Sequence, residues 1–222
     1  MDKRFLAIIG VIILAFVGIL VFGNHGNNNG GGSSSGKPTN HVEGNLKSKV
    51  TLVEYGDYEC PVCESYFTTV QQVEQQYASQ IKFQFRNLPL TQIHPNALAG
   101  ARAAEAADMQ GKFWQMHDTL YEAQNWQEWS TSSNPEPYFW TYAEQLGLNL
   151  SKFKTDFASE AANNRIQADL AAFSKTGQQE ATPTFFLNGK YVPNTELVDS
   201  QGPSVAAFSK VLNAALKSAG QS

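Results

Sequence analysis

The sequence predicts an α/β domain: a βαβ half followed by a ββα half around one central sheet, with an α-helical subdomain inserted between the halves. Three observations carry this. A β-prone run, Val50 to Tyr55, precedes a helical stripe and then the alternating Ile81, Phe83 and Phe85. Asn188-Gly189 separates Thr184-Phe185-Phe186-Leu187 from Lys190-Tyr191-Val192, the strongest short hairpin signal. Between the halves, roughly residues 95–175 are alanine-rich and lack β-branched runs, as inserted helices would.

The first segment is read as a membrane anchor. From Phe5 to Phe22 the chain is uninterrupted apolar residues and glycine, with Lys3 and Arg4 before it. Such a run spans about 27 Å at 1.5 Å per helical residue, close to the hydrocarbon thickness of a bilayer. The expectation is therefore a cytoplasmic N-terminus over 1–4, a transmembrane anchor over 5–22 and export of everything after it, a single-pass cell-membrane location. A signal peptide cleaved near Val21-Phe22-Gly23 is the competing reading, but the run exceeds the usual apolar region of about 7–15 residues. Residues 23–40, rich in glycine, asparagine and serine, read as a flexible linker that would hold the folded domain, 41–222, close to a membrane-embedded partner.

In the folded part, Val50 to Tyr55 has apolar residues on both alternating faces, the pattern of a strand in a covered sheet. Tyr66, Phe67, Val70, Val73 and Tyr77 then mark one face of a helix. After the hairpin, Pro203 is expected to open a last helix with Val205, Phe208, Leu212, Ala215 and Leu216 inward. A net charge of −4 without a long basic run leaves no footprint for nucleic acid.

The chain has two cysteines, both in Cys60-Pro61-Val62-Cys63. Cys63 falls three, four and seven residues before Tyr66, Phe67 and Val70, which places it on the buried helix face. Cys60 falls at the helix N-terminus, where free backbone N–H groups and the positive end of the dipole stabilise a thiolate. Pro61 suits the first helical position, which needs no N–H partner. Cys60 is thus expected to be acidic and accessible and Cys63 shielded, the division that disulfide exchange needs. A structural disulfide across so short a loop would contribute only about 2 kcal/mol. A zinc half-site would need two ligands from His41, His94 and His117, none of them paired at short spacing.

Glu54 shares a strand face with Val50 and Leu52, so its carboxyl is expected inside, with a raised pKa, as the proton acceptor for Cys63. A carboxylate escaping at the strand end is the alternative. Asp57 reads as a turn or capping residue. Trp114, Trp126, Trp129, Tyr138, Phe139 and Trp140 read as core of the helical subdomain, with a floor for unfolded substrate as the alternative. His94 and His117 read as structural or surface residues and not as catalytic ones.

The run Val53-Glu54-Tyr55-Gly56-Asp57-Tyr58-Glu59-Cys60-Pro61-Val62-Cys63, the later Thr182-Pro183-Thr184-Phe185-Phe186-Leu187-Asn188-Gly189 and the helical insertion between them resemble the DsbA-like family of thiol–disulfide oxidoreductases. The resemblance covers nearly everything after the linker and implies a thioredoxin-like fold. It implies that Cys60 is the nucleophile, Cys63 the resolving thiol, Thr182-Pro183 a cis-proline loop and Glu54 the buried acid. Pro61, Val62 and Thr182 would then border the substrate. Family members that carry a histidine between the cysteines use it to stabilise the thiolate, where this chain has Val62.

The resulting expectation is an extracytoplasmic oxidase, monomeric and without cofactor or metal. It would introduce disulfides into reduced exported polypeptides and be reoxidised by a membrane-embedded, quinone-coupled partner. A disulfide isomerase or reductase is the alternative within the enzyme class. A chaperone-like binding module with incidental cysteines is the alternative outside it.

Overall fold

The computed structural model describes residues 37–220. Its centre is a five-stranded mixed sheet in the order β1-β3-β2-β4-β5, built from β1 (His41–Gly44), β2 (Thr51–Gly56), β3 (Lys82–Asn87), β4 (Thr184–Leu187) and β5 (Lys190–Val192). Strands β2 and β3 run parallel because α1 (Pro61–Tyr77) carries the chain back between them. The other pairs are antiparallel. This is the thioredoxin-like α/β arrangement, with β2 in the middle of the sheet.

The β4–β5 hairpin forms where Asn188-Gly189 is read, both residues having positive φ, 49° and 77°. Asn188 Oδ1 also accepts from the Thr51 N–H at 2.8 Å, tying the turn to the start of β2. Helix α1 buries Cys63, Tyr66, Val70, Val73 and Tyr77, and Phe67 of the stripe read from the sequence is partly buried beside them. Between β3 and β4 lie six helices: α2 (Ala97–Asp108), α3 (Phe113–Tyr121), α4 (Ala123–Ser130), α5 (Glu136–Gln145), α6 (Leu150–Phe157) and α7 (Glu160–Ser174). Trp129 and Phe139 are fully enclosed there, while Trp114, Trp126, Tyr138 and Trp140 pack partly buried against the same core.

Several expectations are corrected. The last helix, α8 (Val205–Ser218), starts after Ser204. Pro203, expected to open it, instead ends a two-residue strand of a small hairpin formed by β6 (Val198–Asp199) and β7 (Gly202–Pro203). Phe208, Leu212 and Leu216 do face inward. Strand β1 was not expected, because His-Val-Glu-Gly carries no apolar alternation. Its hold comes from side chains: the His41 ring stacks on Phe113 at 3.5 Å and its Nε2 lies 2.7 Å from Glu105 Oε1. Thr39, at the end of the expected linker, is buried, with its N–H and hydroxyl bound to Asp169 at 2.7 and 2.6 Å.

The membrane anchor is also corrected. No helix among the described residues is long and apolar enough to cross a membrane. The span over 5–22 on which the anchor rested, and most of the linker after it, lie outside those residues. The transmembrane helix, the single-pass cell-membrane location and the membrane contact drawn from it are not retained.

Candidate active site

Strand β2 ends at Gly56, and the four residues after it turn the chain into α1. Asp57 builds the turn: its Oδ1 accepts from the Glu59 N–H at 2.9 Å and its carbonyl from the Cys60 N–H at 3.1 Å. Its Oδ2 accepts from the Leu90 N–H at 2.8 Å and lies 2.7 Å from His94 Nδ1. Of the structural and surface readings of His94, the structural one holds, and it is joined to the turn role of Asp57. The helical insertion grips the same loop, since Trp126 Nε1 donates to the Tyr58 carbonyl at 2.8 Å and the Asn96 N–H donates to Glu59 Oε2. The Tyr58 hydroxyl lies 3.0 Å from Nδ1 of the buried His117.

Cys60 occupies the N-cap position of α1, with Pro61 as the first helical residue. Its thiol donates to the Thr182 carbonyl at 3.5 Å, so the loop before β4 lies against it. The Thr182–Pro183 bond is cis, as the resemblance implied. Pro61 and Val62 are exposed, Val62 to 47%, beside the pair. One expectation is corrected in degree: Cys60 is only 5% exposed, against 1% for Cys63. Both thiols are buried, and Cys60 is the less enclosed.

The two thiols, unbridged here, have opposite acidities. A hydrogen bond from Cys63 does most to lower the Cys60 pKa; burial opposes it, and Thr182 and the N–H groups of Cys63 and Val62 help bring it to about 6. Val62 thus supplies a backbone donor although its side chain has none. Cys63 is pushed well up by burial, by its bond to Cys60 and by the charges of Cys60 and Glu54, against a bond from the Asp57 N–H at 3.5 Å.

Glu54 is 5% exposed in the middle strand, paired across the sheet with Phe85 on one side and Phe185 on the other. Burial, and then the Cys60 charge, raise its pKa to about 8. A protonated or neutral-pH-titrating carboxyl thus lies beside the thiol that must gain and lose a proton. Such a set can perform thiol–disulfide exchange: a thiolate to bond with a substrate sulfur, a second thiol to displace it, and an acid–base group. Among the described residues no cluster of three or more His, Cys, Asp or Glu side chains is arranged to hold a metal ion.

Sequence reasoning missed the parts played by Tyr58, Glu59 and Asn96, and the bond that Trp126, read only as core or substrate floor, makes to the loop. These residues hold the cysteine loop through contacts 37 to 68 residues apart in the chain, for which no local pattern gives a signal.

A model of the thioredoxin family matches residues 36–213. The chain belongs to the thioredoxin family. Na(+)/H(+) antiporter NhaA 3 of Salinispora tropica is 39% identical over 150 residues, 68% of this chain and 22% of that protein. The chain thus spans about a fifth of the length of the curated relatives it matches. Among solved structures, a thioredoxin-like oxidoreductase from Silicibacter pomeroyi DSS-3 is 25% identical, with a TM-score of 0.64 over 82% of this chain and 94% of that one. Alpha-DsbA1 from Wolbachia pipientis is 16% identical, with a TM-score of 0.65 over 83% and 94%, a likeness of fold alone. The helical insertion between β3 and β4 is the one that the resemblance to the DsbA-like family implied.

Proposed function

We propose that this chain is a DsbA-like thiol–disulfide oxidoreductase working as an extracytoplasmic oxidase, with Cys60 as the sulfur that exchanges with substrate and Cys63 as its resolving partner. The observation that carries the reading is the stabilised Cys60 thiolate, with its pKa lowered to about 6 at the N-terminus of α1. A dithiol whose reduced form is stabilised has a disulfide that takes electrons readily, which favours oxidation of substrate. The substrate class that fits is a reduced, extended polypeptide, laid against the Thr182–Pro183 loop and the exposed Pro61 and Val62. Oxidising compartments are where such a catalyst meets reduced chains.

Equilibration of the protein with glutathione buffers tests the direction. The expected potential is more oxidising than thioredoxin's roughly −270 mV, and Cys60→Ser abolishes turnover. A potential at or below that value leaves a reductase instead. Retained binding of unfolded polypeptide after Cys60 alkylation, with no disulfide chemistry in the untreated protein, leaves a binding module.

A further inference from the structure

We propose that Glu74 is the outer carboxyl of a proton relay that joins Glu54 and Cys63 to solvent on the side of the domain where Glu43 and Asp118 lie, through one buried water. The proposal rests on the oxidoreductase reading and deepens it. It begins with helical spacing. Cys63, Phe67, Val70 and Glu74 follow one another at three- and four-residue steps along α1, with Gln71 four residues after Phe67 and three before Glu74, and share a face. Helical side chains lean toward the N-terminus, which carries the Glu74 carboxyl back toward the cysteine.

Two adjoining cavities lie along that face. The inner one is lined by Glu54, Cys63, Gln71, Glu74, His117 and Tyr121, and holds about 10 Å³ for water centres, room for about one molecule. The outer one, about 280 Å³, is a groove that includes Glu43 and Asp118. Gln71 and Glu74 line both, so they form the wall between the inner space and the groove.

Two residues that line the inner cavity each carry a buried polar atom without a hydrogen-bond partner, Glu74 Oε1 and Tyr121 Oη. Leaving such atoms bare costs about 1–3 kcal/mol each. A single water bonded to both, and to Glu54, satisfies them and completes the link. Further out, Glu43 lines the outer groove together with Glu74. Glu74 therefore faces Glu43 from β1, Glu54 from β2, Cys63 and Gln71 on its own helix, and His117, Asp118 and Tyr121 from α3. His117 is neutral, held down to about 3 by burial and the charge on His41. Burial and the neighbouring carboxylates raise the pKa of Glu74, and burial raises that of Glu43.

The chemistry needs this path twice per cycle. When a substrate thiolate attacks Cys60 Sγ, the Cys60–Cys63 bond breaks, its electron pair goes to Cys63 Sγ, and that sulfur takes up a proton. When a disulfide such as glutathione disulfide reoxidises the enzyme, Cys60 first forms a mixed disulfide. Cys63 Sγ then attacks Cys60 Sγ, loses its proton and releases the other sulfur as a thiolate. The proton moves from Cys63 to Glu54, through the water to Glu74, and out by Glu43 or Asp118, without crossing the substrate face.

The test is the rate at which the Cys60–glutathione mixed disulfide resolves, followed against pH and in D2O, for wild type, Glu54→Gln, Glu74→Gln and the double variant. The expected result is that both single changes slow resolution by about tenfold and flatten its pH profile. The double variant is then no slower than Glu54→Gln alone, and the Cys60 alkylation profile is unchanged in Glu74→Gln. Resolution slowed in Glu54→Gln but of wild-type rate and pH profile in Glu74→Gln overturns the relay and leaves Glu54 as the base. Wild-type behaviour in both overturns the relay and the role of Glu54 together. Loss of exchange in Cys60→Ser still stands then as the separate test of the oxidoreductase reading. Glu43→Gln combined with Asp118→Asn, which removes both exits, serves if Glu74→Gln does not fold, with slowed resolution expected and an unchanged rate overturning the relay.

Discussion

At the scale of single residues, the site depends on one hydrogen bond more than on the helix end that first drew notice. The Cys63 thiol is the largest influence lowering the Cys60 pKa. Cys63→Ala removes that donor, and a bond to a charged acceptor is worth about 1.5–3 kcal/mol, so the Cys60 midpoint should rise by about one to two pH units. Iodoacetamide alkylation rates against pH measure it, and an unmoved midpoint would assign the acidity to the helix terminus. Glu54 gives a second prediction. Its pKa rises from 4.5 to about 8 on folding, so the folded state holds a proton that the unfolded chain releases, and stability declines as pH climbs through that window. Glu54→Gln should match wild type near pH 4 and exceed it by on the order of 3 kcal/mol at pH 7 in urea unfolding. A stability difference equal at both pH values would show that the carboxyl does not titrate in a buried place. Both cysteines and Glu54 were legible in the sequence because helical and strand periodicity fix which face each occupies. Glu74 was not. It lies on the same stripe, but only the packing of β1 and α3 over it encloses its carboxyl.

At the scale of elements, the cysteine loop is a joint between the sheet and the inserted helices. Gly100 in α2 marks how close they come: a Cβ there would meet Tyr58 Cβ at 2.9 Å and the Trp129 ring at 3.1 Å. Gly100→Ala should cost about 1–3 kcal/mol and move the loop that carries Tyr58. Thermal unfolding together with the Cys60 alkylation midpoint checks this, and an unchanged melting temperature would mean that α2 shifts away freely. The elements themselves were largely readable. A β-prone run apolar on both faces announced β2, alternation announced β3, Asn188-Gly189 announced the hairpin, and a stripe announced α1 and α8. Strand β1 escaped because its hold is His41 on Phe113 and Glu105, contacts set by α2 and α3 and not by its own pattern. The start of α8 was misplaced because Pro203 suits a strand end as well as a first helical turn.

For the whole molecule, charge and pH act mainly through the network between the first strand and the insertion. His41 is disfavoured as a cation by burial, yet bonds and charges from Asp108 and Glu105 outweigh this and raise it to about 9. Arg165 joins the same two carboxylates, and Asp108 is lowered in turn. The His41 contribution is fully present below its ordinary 6.5 and is lost as pH rises through about 9. His41→Gln should therefore destabilise by roughly 3 kcal/mol at pH 6 and by almost nothing above pH 9. Chemical unfolding at the two pH values measures it, and an equal loss at both would make the effect one of packing. Glu54 and His41 weaken the fold in the same direction, so stability is expected to be greater on the acid side of neutrality.

The pairing of β1 with β3 also bears on how this protein behaves in concentrated solution. Strand β3 is six residues long and carries Phe83 and Phe85, and β1 alone covers its outer rim. Peeling β1 away would bare a row of N–H and C=O groups on a hydrophobic strand, the template on which chains stack into aggregates. The His41 latch then acts as a guard on colloidal stability. Alkaline storage, which discharges that latch, should cloud a concentrated sample well before it unfolds the rest of the domain.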